Sequence, residues 1–232
     1  MPYYYLDSYY LILIVPTMLF ALWAQSKVKS TFEKYSRVRS SRGYTAAQIC
    51  RQILDSNGLY HVRIEHIAGN LTDHFDPTSN VVRLSDSVYN STSVASIGVA
   101  AHEVGHAIQY AMGYAPMKIR AAIIPVTNFG SKLSMPLILL GVVLGAYPLV
   151  SLGIILFSLM TVFQLVTLPV ELNASGRALR TLEGGNILYG EEVKQAKSVL
   201  TAAALTYVAA LLTSAAQLLR LILLYGRRNN RD

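Results

Sequence analysis

Cysteine is almost missing from this sequence. Cys50 has no partner in the chain, so an internal disulfide is excluded and the redox state of the compartment leaves no mark. Charge is also scarce: 14% of the 232 residues are Asp, Glu, Lys or Arg, against 53% hydrophobic. The resulting mean hydropathy of +0.38 excludes an ordinary water-soluble domain. The same hydrophobicity, with a net charge of only +7, excludes an intrinsically disordered chain. Internal repeats and low-complexity tracts are absent, and no histidine or cysteine follows His106. An integral membrane protein carrying one compact polar segment remains.

Tyr9 to Ala24 is apolar and uncharged, with Tyr and Trp near its ends, as at membrane interfaces. No Lys or Arg precedes it, so it lacks the basic start of a cleavable signal peptide and is expected to be a retained transmembrane helix. Lys27, Lys29, Lys34, Arg37, Arg39 and Arg42 follow, opposed only by Glu33. Behind an apolar span such a cluster is a topology and lipid-surface signal rather than a nucleic-acid arm, and it places that flank in the cytoplasm.

From Leu133 to Val170 no charged residue occurs. That length is about twice the ~20 residues of one span, and Ala146-Tyr147-Pro148 marks a turn near its middle, so a transmembrane hairpin is expected. Val199 to Tyr225 is long enough to span but carries Gln217 and Arg220. It is expected to be a fourth span or a helical segment packed on the polar domain. A span would leave Arg227, Arg228 and Arg231 outside, against the positive-inside tendency.

Within the polar segment, Thr45 followed by Gln48 is a capping-box pattern opening a helix that Asn57-Gly58 ends. Val62 to Ile67 and Val81 to Leu84 predict two strands, joined by the turn residues Asp76 to Asn80. Asn80 to Leu84 is a candidate edge strand for an extended peptide. Asn90, Ser91 or Ser93 can cap the next helix, expected over about 91–112 and stopped at Gly113. Its Gly98, Ala100, Ala101, Gly105 and Ala107 would let another helix approach closely.

That helix carries His102-Glu103-Val104-Gly105-His106. Two histidines four residues apart share one helical face, so both imidazoles can bind one ion. Zinc suits them, because it takes neutral imidazole and keeps a position open for water in catalytic sites. Glu103 would take a proton from that water and deliver it to the leaving amine. The flanking residues are apolar, so two uncomplexed histidines would be buried there at a cost. The later carboxylates are Glu171, Glu183, Glu191, Glu192 and Asp232. Glu183 sits beside Gly184-Gly185, Glu191 and Glu192 suit a helix start, and Asp232 is last. Glu171 emerges from an apolar span, where a carboxylate needs a partner such as a cation, and is the expected third ligand. His74 is the rival from upstream; a turn residue, or a substrate-side or supporting residue, are its other readings. His61 and His66 read as exposed strand residues. Arg177 and Arg180, six and nine residues after Glu171, are candidate donors to an oxyanion, with a solvated or lipid-phosphate contact as the plainer role for Arg177.

With these residues in place, the chain resembles the YugP-like neutral zinc metallopeptidases of bacterial membranes over most of its length. The likeness rests on Asp73-His74-Phe75-Asp76-Pro77, on Val99 to Gln109, and on Val170-Glu171-Leu172-Asn173-Ala174-Ser175. More distantly it is similar to the HtpX and CAAX-prenyl-protease group. In that group the third ligand is a glutamate after a membrane hairpin, in a Glu-x-x-Ala-Asp pattern. Glu171 and Ala174 match it, and Ser175 stands where the relatives carry an aspartate that supports the site. The resemblance implies peptide hydrolysis, with membrane-embedded or misfolded membrane proteins as the substrate class, and makes Asp76 a supporting candidate beside His74 and Ser175.

The expected protein is therefore a mainly α integral membrane protein, with about four transmembrane helices and a small α+β zincin-like catalytic domain built on an HExxH helix. Its segments are a transmembrane helix (1–25), a cytoplasmic zinc-peptidase domain (26–132), a transmembrane hairpin (133–170), a helical segment with the third ligand (171–198), and a C-terminal transmembrane or packed helix with a basic tail (199–232). The expected activity is that of a zinc metalloendopeptidase of gluzincin type in the cell membrane, with one Zn2+ per chain. Its partners would be the bilayer and peptide or membrane-protein substrates, without nucleic acid. A non-catalytic scaffold with a structural zinc, or hydrolysis of a lipid or small amide, are the alternatives.

Overall fold

The computed structural model describes residues 7–226, so the basic tail of Arg227, Arg228 and Arg231, and Asp232, lie outside the described residues. A π-helical turn at Tyr10–Ile14 leads into α1 (Val15–Ser36), followed by α2 (Ala46–Ser56), β1 (Arg63–Ile67), β2 (His74–Asp76), β3 (Val81–Ser85), α3 (Val94–Ala111), α4 (Ala115–Leu144), α5 (Tyr147–Gly184) and α6 (Glu191–Tyr225). The fold is mainly helical with a small sheet. Four helical stretches are long and apolar enough to cross a membrane: Tyr10–Ser36, Ala115–Leu144, Tyr147–Gly184 and Glu191–Tyr225.

The chain divides into two compact units. One comprises the N-terminal residues through Ala24, Lys118–Pro169 and Thr206 onward; the other comprises Gln25–Met117 and Val170–Leu205. In the first, Ile138, Val150, Phe157 and Leu221 pack together. Gly145 turns α4 into α5 with a φ of +67°, a conformation costly for any residue with a Cβ. Arg220, the cation inside the last apolar stretch, donates from Nε to Asp7 at 3.1 Å. Its guanidinium also lies 5.3 Å from the centre of the Tyr10 ring. A paired cation is tolerable in an apolar helix where a lone one is not.

The second unit is built around α2, α3 and the sheet. Thr45 and Gln48 form the capping box at the start of α2. Ser93, among the three candidates, caps α3 by accepting the Ser96 N–H. The sheet has three strands in the order β1-β3-β2. β1 pairs with β3 in parallel, and β2 pairs with β3 antiparallel through His74–Arg83, Phe75–Val82 and Asp76–Val81. Three expectations are corrected here. A third strand, β2, lies just ahead of the turn and takes its first residue, Asp76, while Pro77 to Asn80 form the expected turn. The strand expected over Asn80 to Leu84 is β3, Val81–Ser85, and it is central rather than at an edge: Val81, Val82 and Leu84 are fully buried and both flanks carry a ladder. His61 lies in a turn ahead of β1, while His66 is an exposed strand residue paired with Asp86 at 2.7 Å.

The core of this unit joins Ile49, Ile53, Leu54, Val82, Leu84, Ile97 and Val104 to Leu182, Leu188, Ala196 and Leu200. The small residues of α3 have the expected consequence. A Cβ on Gly105 would stand 2.7 Å from the Ala174 carbonyl oxygen, so the α5 backbone rests directly on that glycine. The boundary between the units falls at Pro169-Val170 inside α5, where Pro169 has no N–H to give the helical ladder. Glu171 thus follows the apolar stretch and lies in the same unit as α3.

Candidate metal centre

α3 presents His102 and His106 one helical turn apart, with ring centres 4.7 Å apart and ring planes at 84°. α5 brings Glu171 against them. Its Oε2 lies 3.2 Å from His102 Nε2 and 3.4 Å from His106 Nε2. One ligand atom from each of the three residues falls within 4.8 Å of the others. Glu171 is 2% exposed and His106 8%. Among the described residues, this is the group of three or more His, Cys, Asp or Glu side chains placed to hold a metal ion.

The other ring nitrogen of each histidine is taken. His102 Nδ1 lies 3.1 Å from the Ser175 hydroxyl. His106 Nδ1 lies 3.0 Å from Gln109 Oε1, and the Gln109 amide donates to the Val170 carbonyl at 2.8 Å and to Asn173 Oδ1 at 3.0 Å. With its nitrogen committed as a donor, Gln109 can only accept from His106, so Nδ1–H donates and Nε2 is left as the ligand atom. Asn173 Oδ1 in turn accepts from Arg177 Nε at 2.7 Å.

Two imidazole nitrogens and one carboxylate oxygen form a zinc donor set. The spacing fits as well: the edge of a tetrahedron with metal bonds of about 2.0–2.1 Å is about 3.3–3.4 Å, matching the two contacts to Glu171. Burial disfavours a charge on His106, but Glu171, Glu103 and Gln109 outweigh it, so its pKa lies above the usual histidine range.

Glu103 points to the neighbouring β2. Its Oε2 accepts the Phe75 N–H at 3.0 Å, and the residue is 8% exposed. The loop ahead of β2 is fixed by Asp73, which accepts the Ser85 N–H at 2.8 Å and the Ser85 hydroxyl at 2.9 Å. Burial nonetheless raises the Asp73 pKa above the ordinary carboxylate value.

The remaining candidates divide. Ser175 touches His102. Arg177 reaches the metal cluster through Asn173, and its Nη1 also contacts Met112 Sδ at 3.0 Å. His74 opens β2, exposed, with Nδ1 2.9 Å from the Thr72 carbonyl and Nε2 3.4 Å from Arg83. It lies outside the three-residue group. Asp76 ends β2 and opens the turn after it, accepting the Thr78 N–H at 2.9 Å. The Ser79 hydroxyl and the Arg83 guanidinium, 3.0 Å away, hold its carboxyl well below the usual range. Sequence reasoning missed Gln109, Asn173 and the Phe75 N–H. Gln109 lies three residues after His106 on one helix face and is fully buried. A glutamine in that apolar run is the signal that was present.

A membrane protein with a buried two-histidine, one-carboxylate group on facing helices belongs to the class of integral membrane metalloproteins. The comparisons narrow that class. Residues 10–226 match the family model described as "Putative neutral zinc metallopeptidase", and the chain belongs to that family. It is 48% identical over 223 residues to the "Putative membrane protease YugP" of Bacillus subtilis (strain 168), covering 95% of this chain and 99% of that one. No solved structure matches the chain.

Proposed function

We propose that this protein is an integral membrane zinc endopeptidase, with His102, His106 and Glu171 holding the metal and Glu103 acting as general base and acid. The observation that carries the reading is the convergence of the three ligand atoms within 4.8 Å, beside a carboxylate held by a strand's backbone N–H. Zinc bound there would supply Lewis-acid polarisation of a water molecule and of the scissile carbonyl. Glu103 takes the proton from the attacking water as the new C–O bond forms. It then gives the proton to the amide nitrogen as the C–N bond breaks. Phe75 N–H restrains one oxygen of Glu103; the other takes no hydrogen bond among the described residues and is available for this transfer. β2 is the antiparallel edge strand, and an extended substrate would lie along it beside Glu103, whose carboxylate already holds the Phe75 N–H. Ser175 and Gln109 orient the imidazoles so that each Nε2 faces the metal position.

A structural zinc site closes with four protein ligands. The group here numbers three among the described residues, which favours catalysis over a scaffold. The substrates are read as membrane-associated or misfolded proteins, as the resemblance to the zinc metallopeptidases of bacterial membranes implies. The catalytic face is read as cytoplasmic, on the strength of the basic residues after the first span. Glu103→Gln tests the chemistry: the variant should keep its zinc while cleavage of an unfolded test protein falls at least ~100-fold. Equal cleavage by variant and wild type would refute the mechanism.

A further inference from the structure

The apolar-to-basic transition after the first span does more than mark topology, because the structure folds part of it into a groove. The C-terminal half of α1 and the N-terminal half of α6 line a cavity of about 620 Å³. α1 contributes Lys27, Thr31 and Lys34 at helical spacing, and α6 contributes Lys194, Lys197 and Leu205. All of these residues lie within the unit of Gln25–Met117 and Val170–Leu205, and no Asp or Glu lines the groove. Lys194 pairs with Glu191 at 2.6 Å. Among the described residues Lys27, Lys34 and Lys197 have no carboxylate partner. Both walls belong to helices that continue into apolar, span-length sequence. The groove therefore combines unneutralised cations with an apolar end at Ala202 and Leu205.

We propose that this groove binds an anionic phospholipid. Its phosphate is held by Lys27, Lys34 and Lys197, and its acyl chain leaves past Ala202 and Leu205. Three ammonium groups without a carboxylate partner around one cavity repel one another, and a phosphate relieves that repulsion. Basic pockets where transmembrane helices leave the bilayer are suited to lipid headgroups. The lysine stems can cover the apolar wall while their charged ends meet the headgroup. The proposal is independent of the peptidase reading, and a failure of either leaves the other standing.

The test uses the full chain in neutral detergent, with retention of phosphatidylglycerol and of phosphatidylcholine measured by native mass spectrometry. The groove variant Lys27→Gln/Lys34→Gln/Lys197→Gln is compared with Lys29→Gln/Arg37→Gln/Arg42→Gln, which removes equal charge from exposed positions outside the groove. Wild type should prefer phosphatidylglycerol. The groove variant should bind it roughly 100-fold more weakly, at about fivefold per lysine. The exposed-charge variant should stay within about threefold of wild type, since scattered surface charges are screened. Unfolding temperatures verify that both variants fold, and the single variant Lys34→Gln, with about a fivefold loss, serves if the triple does not. Equal losses in the two triple variants would reduce the effect to diffuse attraction and overturn the site. Inorganic phosphate binding in the groove as tightly as the lipid would overturn the lipid assignment in favour of a free anion.

Discussion

Ser175 and Gln109 each lie against the Nδ1 of one histidine, which leaves each Nε2 as the atom open to a cation. Removing the Gln109 acceptor leaves His106 free to change tautomer, and Gln109→Ala is expected to weaken zinc binding by roughly 10- to 100-fold. A chelator-competition titration measures this, and an unchanged affinity would deny Gln109 its role. Ser175 offers His102 a neutral hydroxyl, whereas a carboxylate would accept the same proton more strongly. Ser175→Asp should therefore hold zinc more tightly in the same titration. pH acts through His106, whose pKa is raised in the metal-free protein. A raised histidine pKa stabilises the fold most below the ordinary histidine range and loses that contribution as pH rises through the folded value. Zinc needs the histidines neutral and gains over the same interval. The difference in unfolding temperature between zinc-loaded and zinc-free protein should widen from about pH 6 to pH 8; a narrowing would contradict the assignment.

At the scale of elements, the close approach of α3 and α5 is what turns separate residues into one centre. Gly105 permits it: an added Cβ would meet the backbone oxygen of Ala174 at 2.7 Å, whereas one on Gly98 would meet the Ala196 side chain at an ordinary 3.5 Å. Gly105→Ala should thus force the helices apart, cost about 1–3 kcal/mol and lower zinc retention, while Gly98→Ala should be tolerated. Thermal unfolding with metal analysis of the two variants makes the comparison. The helix and its caps were legible because capping and periodicity are local: Thr45 with Gln48, Ser93 ahead of an apolar run, Gly113 behind it. β2 was not. His74-Phe75-Asp76 is too short for alternation to register, and it becomes a strand only by pairing with Val81–Arg83. The same distant pairing makes β3 central, although its run of Val81-Val82 and Leu84, buried on both faces, was a readable hint. Gln109 and Asn173 escaped because their meeting depends on the packing of α5 against α3, which no spacing within one helix encodes.

Across the whole molecule, Asp7 and Arg220 illustrate the same division. Arg220 stood out as a charge in an apolar stretch, but its partner lies at the far end of the chain and became visible only when the helices were assembled. The four apolar helices make this a multi-pass membrane protein, and the sidedness of its catalytic unit has a direct test. Cys50 is buried and its thiol pKa is pushed up by that burial, so it is a poor background target for labelling. Ser56→Cys should be labelled from the cytoplasmic side; labelling only from outside would reverse the orientation and move the catalytic face with it. The central claim, that a membrane helix and a polar helix jointly hold one catalytic zinc, is tested most directly by zinc per chain in detergent-purified wild type beside Glu171→Ala. Near-stoichiometric zinc is expected in the wild type, with a marked loss in the variant. Zinc held equally by both would contradict the claim.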